Sequence, residues 1–97
     1  LVVKEAYQLL GLITFYTFGD KELRAWELLR GSKAPQAAGK VHTDMEKGFI
    51  KAEVINYEEL VAIGSWGKSR EEGRIRQEGK DYEIKDGDLV YFRFSPH

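Results

Sequence analysis

Apolar positions along the chain follow two rhythms, and the switch between them marks out the elements. Val2, Val3, Ala6, Leu9 and Leu10 recur on one helical face, and Gly11 supplies a stop signal. No capping residue precedes Leu1, so residues 1–11 are expected to be the end of a helix leading in from an upstream region. Leu12 to Phe18 is a run of branched and aromatic residues, which predicts a strand. Gly19-Asp20 predicts a turn, and Glu22 to Leu29 a returning strand. Its alternation is blurred, with Trp26 and Leu28 on the opposite face from Leu23 and Ala25. Pro35 suits the first turn of a helix whose apolar stripe is Ala34, Ala37, Ala38 and Val41. Small side chains on that stripe predict a helix lying close against a sheet.

Thr43 and Glu46 have capping-box spacing and predict a short helix before Gly48. Ile50, Ala52 and Val54 then alternate with Lys51 and Glu53, as in a half-buried strand. Asn56 signals another helix start, with Tyr57, Leu60 and Val61 on one face and Gly64 as stop. Trp66 to Gly73 reads as a charged loop with one helical turn. Arg74 to Glu78 and Tyr82 to Ile84 read as short strands, and Asp86-Gly87 as a type I′ hairpin turn. Leu89 to Phe94 is the most apolar strand, expected at the sheet centre. A first hairpin, a helix crossing one face and a last strand parallel to the first make an α+β, β-grasp layout. Its sheet is mixed, with additional short helices.

Composition narrows the chemistry. Ninety-seven residues allow one domain, and fifteen Lys+Arg against sixteen Asp+Glu leave a net charge of −1. That balance is unlike a typical independent DNA-binding module. No apolar run is long enough to span a membrane. The absence of cysteine excludes disulfides, thiolate metal sites and cysteine nucleophiles. Neither histidine, His42 nor His97, has a partner at metal-ligand spacing, and Asp86 and Asp88 supply too few oxygens for a calcium loop. No serine or threonine shows a base-and-orienter arrangement. The expectation is therefore no metal and no catalytic residue.

Charge is unevenly spread. Residues 30–51 carry five cations against two carboxylates, and residues 66–80 carry five against three. Joined in the fold, Lys40, Lys47, Lys51, Arg70, Arg74 and Arg76 would form a basic patch able to hold RNA phosphates. The competing reading is a mixed surface of weak ion pairs. His42 is expected to be a helix-end residue, with a phosphate or partner contact as the alternative. Trp26 and Trp66 are candidates for a domain interface.

The block Ala34-Pro35-Gln36-Ala37-Ala38-Gly39-Lys40-Val41-His42-Thr43-Asp44-Met45-Glu46-Lys47-Gly48-Phe49-Ile50-Lys51-Ala52-Glu53-Val54 is the most specific feature of the sequence. With Arg24-Ala25-Trp26, Glu78-Gly79-Lys80-Asp81-Tyr82, Lys85-Asp86-Gly87-Asp88 and Phe92-Arg93-Phe94, it resembles the C-terminal TGS domain of the YchF-type, Obg-like P-loop ATPases and GTPases. The resemblance covers essentially the whole chain and implies a TGS domain over residues 12–97. It implies a cytoplasmic, translation-associated parent that binds Mg-ATP or Mg-GTP in a separate nucleotide domain, with the ribosome or RNA as partner. This chain has no G-x-x-x-x-G-K-[ST] loop. Gly67-Lys68-Ser69 copies the last three letters, but Ala62 stands where the opening glycine belongs. The expected role is a ribosome- or RNA-binding module, with no cofactor of its own and no membrane partner. The alternative is a regulatory domain packing on the parent's nucleotide-binding domain.

Overall fold

The computed structural model describes residues 11–18 and 22–95. The expected helix over 1–11 and the Gly19-Asp20 turn fall outside them, apart from Gly11 itself, as does His97. The described elements are β1 (Leu12–Phe18), β2 (Leu23–Leu29), α1 (Ala34–Val41), α2 (Thr43–Lys47), β3 (Phe49–Asn56), α3 (Tyr57–Ile63), α4 (Trp66–Glu71), β4 (Arg76–Glu78) and β5 (Asp88–Phe94).

The five strands form one sheet in the order β2-β1-β5-β3-β4. β1 and β5 pair in parallel, through Tyr16 and Leu89, and the other neighbours are antiparallel. This is the β-grasp arrangement, with the most apolar strand at the centre as its composition predicts.

Alternation along the strands sorts residues onto two covered faces. Ile13 and Phe15 of β1, Leu28 of β2, Ala52 and Val54 of β3, and Val90 and Phe92 of β5 meet Ala34, Ala37 and Ala38 of α1 in the main core. Each of these alanines is fully buried, so α1 approaches the sheet at the close range its stripe predicts. Gln36 Oε1 accepts the Lys33 N–H at 2.8 Å, and Pro35 occupies the first turn, where its missing N–H costs nothing. On the opposite face α3 and α4 cover the sheet centre. Tyr57 packs on Tyr16 at 5.1 Å between ring centroids, and Ile55 and Leu89 are buried there.

Several local expectations change in three dimensions. The α2 cap is His42, whose Nδ1 accepts the Asp44 N–H at 3.1 Å, rather than Thr43. A bulge between Phe49 and Lys51 takes Ile50 out of the alternation and leaves it 59% exposed. Trp66 to Glu71 is a six-residue helix, capped by Ser65 Oγ accepting from Lys68 N at 3.1 Å. Tyr82 to Ile84 forms only a single bridge, between Glu83 and Lys33, instead of a hairpin with β5. Gly87 has φ 88° while Asp86 does not take positive φ, so the Lys85–Asp88 turn is type II in character. Type I′ would require positive φ at both. Asn56 caps α3 as expected, its Oδ1 accepting from Glu58 N at 2.9 Å.

Candidate nucleic-acid interface

The middle of β3 sets up the candidate site. Ala52 and Val54 point into the α1 core, so Glu53 between them must face α4. Glu53 is 2% exposed, and each of its oxygens has its own charged donor. Arg70 of α4 donates through Nη2 to Oε1 at 2.6 Å, and Arg93 of β5 donates through Nε to Oε2 at 3.1 Å. Burial by itself would raise the Glu53 pKa. Hydrogen bonds from Arg93 and Arg70, with their positive charges, outweigh it and hold the carboxyl below its ordinary value.

The two guanidiniums are not consumed by this one carboxylate. Their side chains are 49% and 48% exposed, and among the described residues neither pairs with a second acid. Lys51 lies directly opposite Arg93 on the β3–β5 ladder, is exposed, and forms no ion pair among the described residues. Two arginines thus share one buried anion while Lys51 stands across the ladder from Arg93, so three exposed cations present positive charge to water on this face. Aromatic rings adjoin them. Trp66 makes edge contacts with Phe18 at 5.1 Å and Tyr91 at 6.4 Å. The Arg70 guanidinium lies 5.9 Å from the Trp66 ring and that of Arg93 lies 5.0 Å from the Tyr91 ring.

The other cations expected at the surface go elsewhere. Arg76 stands opposite Val54 on the β3–β4 ladder and so belongs to the α1 face. There it donates to the Tyr82 hydroxyl at 3.0 Å, while Tyr82 donates to the buried Asp88 Oδ2 at 2.6 Å. Burial first, then the bond to Asp88 and its charge, push the Tyr82 pKa well above its usual value. Arg74 reaches Glu59 of α3 at 3.2 Å. Lys40 and Lys47 occupy the last turns of α1 and α2, on the opposite layer from Arg70, with His42 between those helices. Of the two basic segments, Lys51 and Arg70 therefore share the sheet face that carries Glu53 and Arg93, while Lys40, Lys47 and Arg76 lie on the α1 side. Trp26 lies on the α1 face, stacked on Phe15 at 6.5 Å with its Nε1–H donated to Thr17 Oγ1 at 2.8 Å. Trp66 is on the outer face. Arg93 and Tyr91 are the members of the site that the strand pattern concealed, because LVYFRF reads simply as a buried strand.

Among the described residues, neither the Gly67-Lys68-Ser69 stretch nor the Asp86–Asp88 turn is built as a phosphate or cation loop. Gly67-Lys68-Ser69 lies inside α4, and the buried Ser69 hydroxyl donates to Ser65 O at 2.8 Å. Helix α3 precedes it, where a phosphate loop needs a strand, so these residues do not fit a nucleotide. Asp86 accepts from Thr14 N, and Asp88 accepts from Tyr82 and Lys85 N, so both carboxylates serve the fold. Among the described residues no helix is long and apolar enough to cross a membrane.

The order of the strands, the crossing helix and the second helical cover define a β-grasp domain of the TGS type. The family model YchF-GTPase_C, described as "Protein of unknown function (DUF933)", matches residues 12–95. The chain belongs to this family, and corresponds to the C-terminal domain of YchF-type, Obg-like ATPases. The "Ribosome-binding ATPase YchF" of Bacillus subtilis (strain 168) is 48% identical over 94 residues, covering 97% of this chain and 26% of that protein. "Obg-like ATPase 1" of Gallus gallus is also 48% identical, with 97% and 24% covered. The solved Schizosaccharomyces pombe YchF GTPase superposes with TM-score 0.86 at 36% identity, over 95% of this chain and 24% of that one. A GTP-binding protein from Pyrococcus horikoshii OT3 gives TM-score 0.64 at 27% identity, covering 97% of this chain and 24% of its own. The chain spans about a quarter of the length of the curated relatives it matches.

Proposed function

We propose that this domain is a ribosome- or RNA-binding module of a cytoplasmic nucleotidase, and that it performs no catalysis of its own. The observation that carries the reading is the group of exposed cations on the outer sheet face, where Arg70 and Arg93 share the Glu53 carboxylate and Lys51 stands across the ladder from Arg93. Such a face attracts phosphates without any need for a basic domain overall. The relatives named as ribosome-binding ATPases support the partner class. Mg-ATP or Mg-GTP would belong to the parent's nucleotide domain, since Gly67-Lys68-Ser69 is built as a helix interior. Co-sedimentation of the domain with ribosomes across a salt series tests the reading. Binding should weaken steeply with salt, and the double variant Lys51→Glu, Arg70→Glu should lose most of it. Salt-independent binding, or none at low salt, would defeat it.

The rival reading is packing on the parent's nucleotide domain. It draws support from an apolar groove of about 160 Å³ whose lining includes Val41, Met45, Phe92 and Phe94, and which Phe18 and Tyr91 also border. If it holds, Met45→Lys should change nucleotide turnover in the intact parent and leave ribosome binding unaltered.

A further inference from the structure

The outer face holds more than charge. Phe18, Trp66, Tyr91 and Arg93 follow one another at 5.1, 6.4 and 5.0 Å, forming a ridge of flat groups from β1 across α4 to β5. Phe18 and Tyr91 are 44% and 41% exposed. Aromatic rings left this open are not needed to fill the core, which closes on the opposite side of the sheet. The buried carboxylate of Glu53 fixes one edge of each arginine plane. Both arginine side chains remain about half exposed, and Lys51 lies across the ladder from Arg93.

Building on the RNA-binding reading, we infer that this ridge is a binding site for single-stranded RNA. Unpaired bases stack on Tyr91 and on the planar guanidinium of Arg93, and the flanking phosphates are held by Lys51 and Arg70. Flat groups alternating with cations suit a strand whose bases are splayed out, because every base offers a π-face and every linkage a negative charge. A duplex hides its bases and meets such a ridge only through phosphates. An acidic protein segment would use the cations and leave the rings idle. Glu53 acts here as a positioning residue, locking both guanidiniums in place without touching the ligand.

The test measures binding of a fluorescently labelled oligouridylate and of a base-paired RNA of equal length to this 97-residue chain by anisotropy. The single strand should bind more tightly. Tyr91→Ala should weaken it about tenfold while leaving the salt slope unchanged, and Tyr91→Phe should bind like the parent sequence. Arg93→Lys, which keeps the charge and loses the plane, should weaken binding at unchanged slope. Lys51→Gln should reduce the slope of log K against log salt by about 0.7. Thermal midpoints of the variants confirm that each is folded.

Equal affinity for duplex and single strand, or Tyr91→Ala binding normally while Lys51→Gln does not, would overturn the stacking site and leave the RNA reading standing. Competition by polyglutamate as effective as that by oligouridylate would likewise overturn it, in favour of an acidic protein partner. No RNA binding at low salt would overturn both this inference and the reading beneath it.

Discussion

Asp86 holds Thr14 across the sheet: its Oδ1 accepts the Thr14 N–H at 2.8 Å, and the adjacent Gly87 N–H donates to Thr14 O at 2.8 Å. The Gly87 carbonyl also accepts the Tyr57 N–H at 2.9 Å. One turn therefore ties the start of β1 to the start of α3 as it leads into β5. Gly87→Val should be among the most damaging turn substitutions, costing about 1–3 kcal/mol, because a branched side chain at φ 88° is strained. A urea midpoint equal to that of the parent sequence would refute this.

Glu53 should make acid stability depend on its two arginines. Its folded pKa is lowered, so its contribution is complete above the ordinary value of 4.5 and disappears as pH falls through the folded value. Glu53→Gln should lose about 1–3 kcal/mol at neutral pH and show a flatter acid limb. Urea titrations at neutral and acidic pH distinguish this from a variant that merely shifts the whole curve.

Tyr82 behaves with the opposite sign. Its raised pKa means that the neutral phenol stabilises the fold fully below its ordinary value of 10.0, and that this contribution is lost as pH rises through the folded value. Tyr82→Phe should cost about 1 kcal/mol, since Asp88 keeps the Lys85 N–H but loses the hydroxyl donor. Spectrophotometric titration should show one tyrosine ionising last, and the variant should lack it.

Gly48 and Gly39 form a matched pair. A Cβ at Gly48 would overlap the backbone carbonyl of Ser95, which cannot swing aside, and Ser95 N donates to Gly48 O at 2.8 Å. At Gly39 the obstacle is the side chain of Glu46, which can move. Gly48→Ala should cost about 1–3 kcal/mol. Gly39→Ala should stay within about 1 kcal/mol of the parent sequence, helped by the better helix propensity of alanine. Denaturation midpoints of the two variants check the contrast.

These residues also show where sequence pattern suffices. The branched and aromatic content of Leu12–Phe18, the alanine stripe of α1 and the Asn56 cap depend on local chemistry, and each appears in place. Glu53 is different. Between Ala52 and Val54 it has the position of a solvent-facing residue, and only the folding of α4 over the second sheet face buries it. The charged, glycine-punctuated stretch from Trp66 gave little sign that it would become that cover. Arg93 could have been found by asking why an arginine sits in so apolar a strand. The Asp86-Gly87 pair has the composition of a hairpin and keeps the Asp88 N–H to Lys85 O turn bond. The Lys85 N–H, however, goes to the Asp88 carboxylate and Glu83 bridges Lys33, so the segment before the turn does not pair back onto β5.

The parallel pairing of β1 with β5 gives the domain a mechanical character. Leu12 opens one central strand and Phe94 closes the other, so tension applied along the chain pulls these neighbours past each other lengthwise. Bonds across the two strands are then loaded together in shear instead of being peeled apart one at a time. A larger assembly that tugs on this domain from Leu12 and Phe94 would therefore meet the resistance of both strands at once.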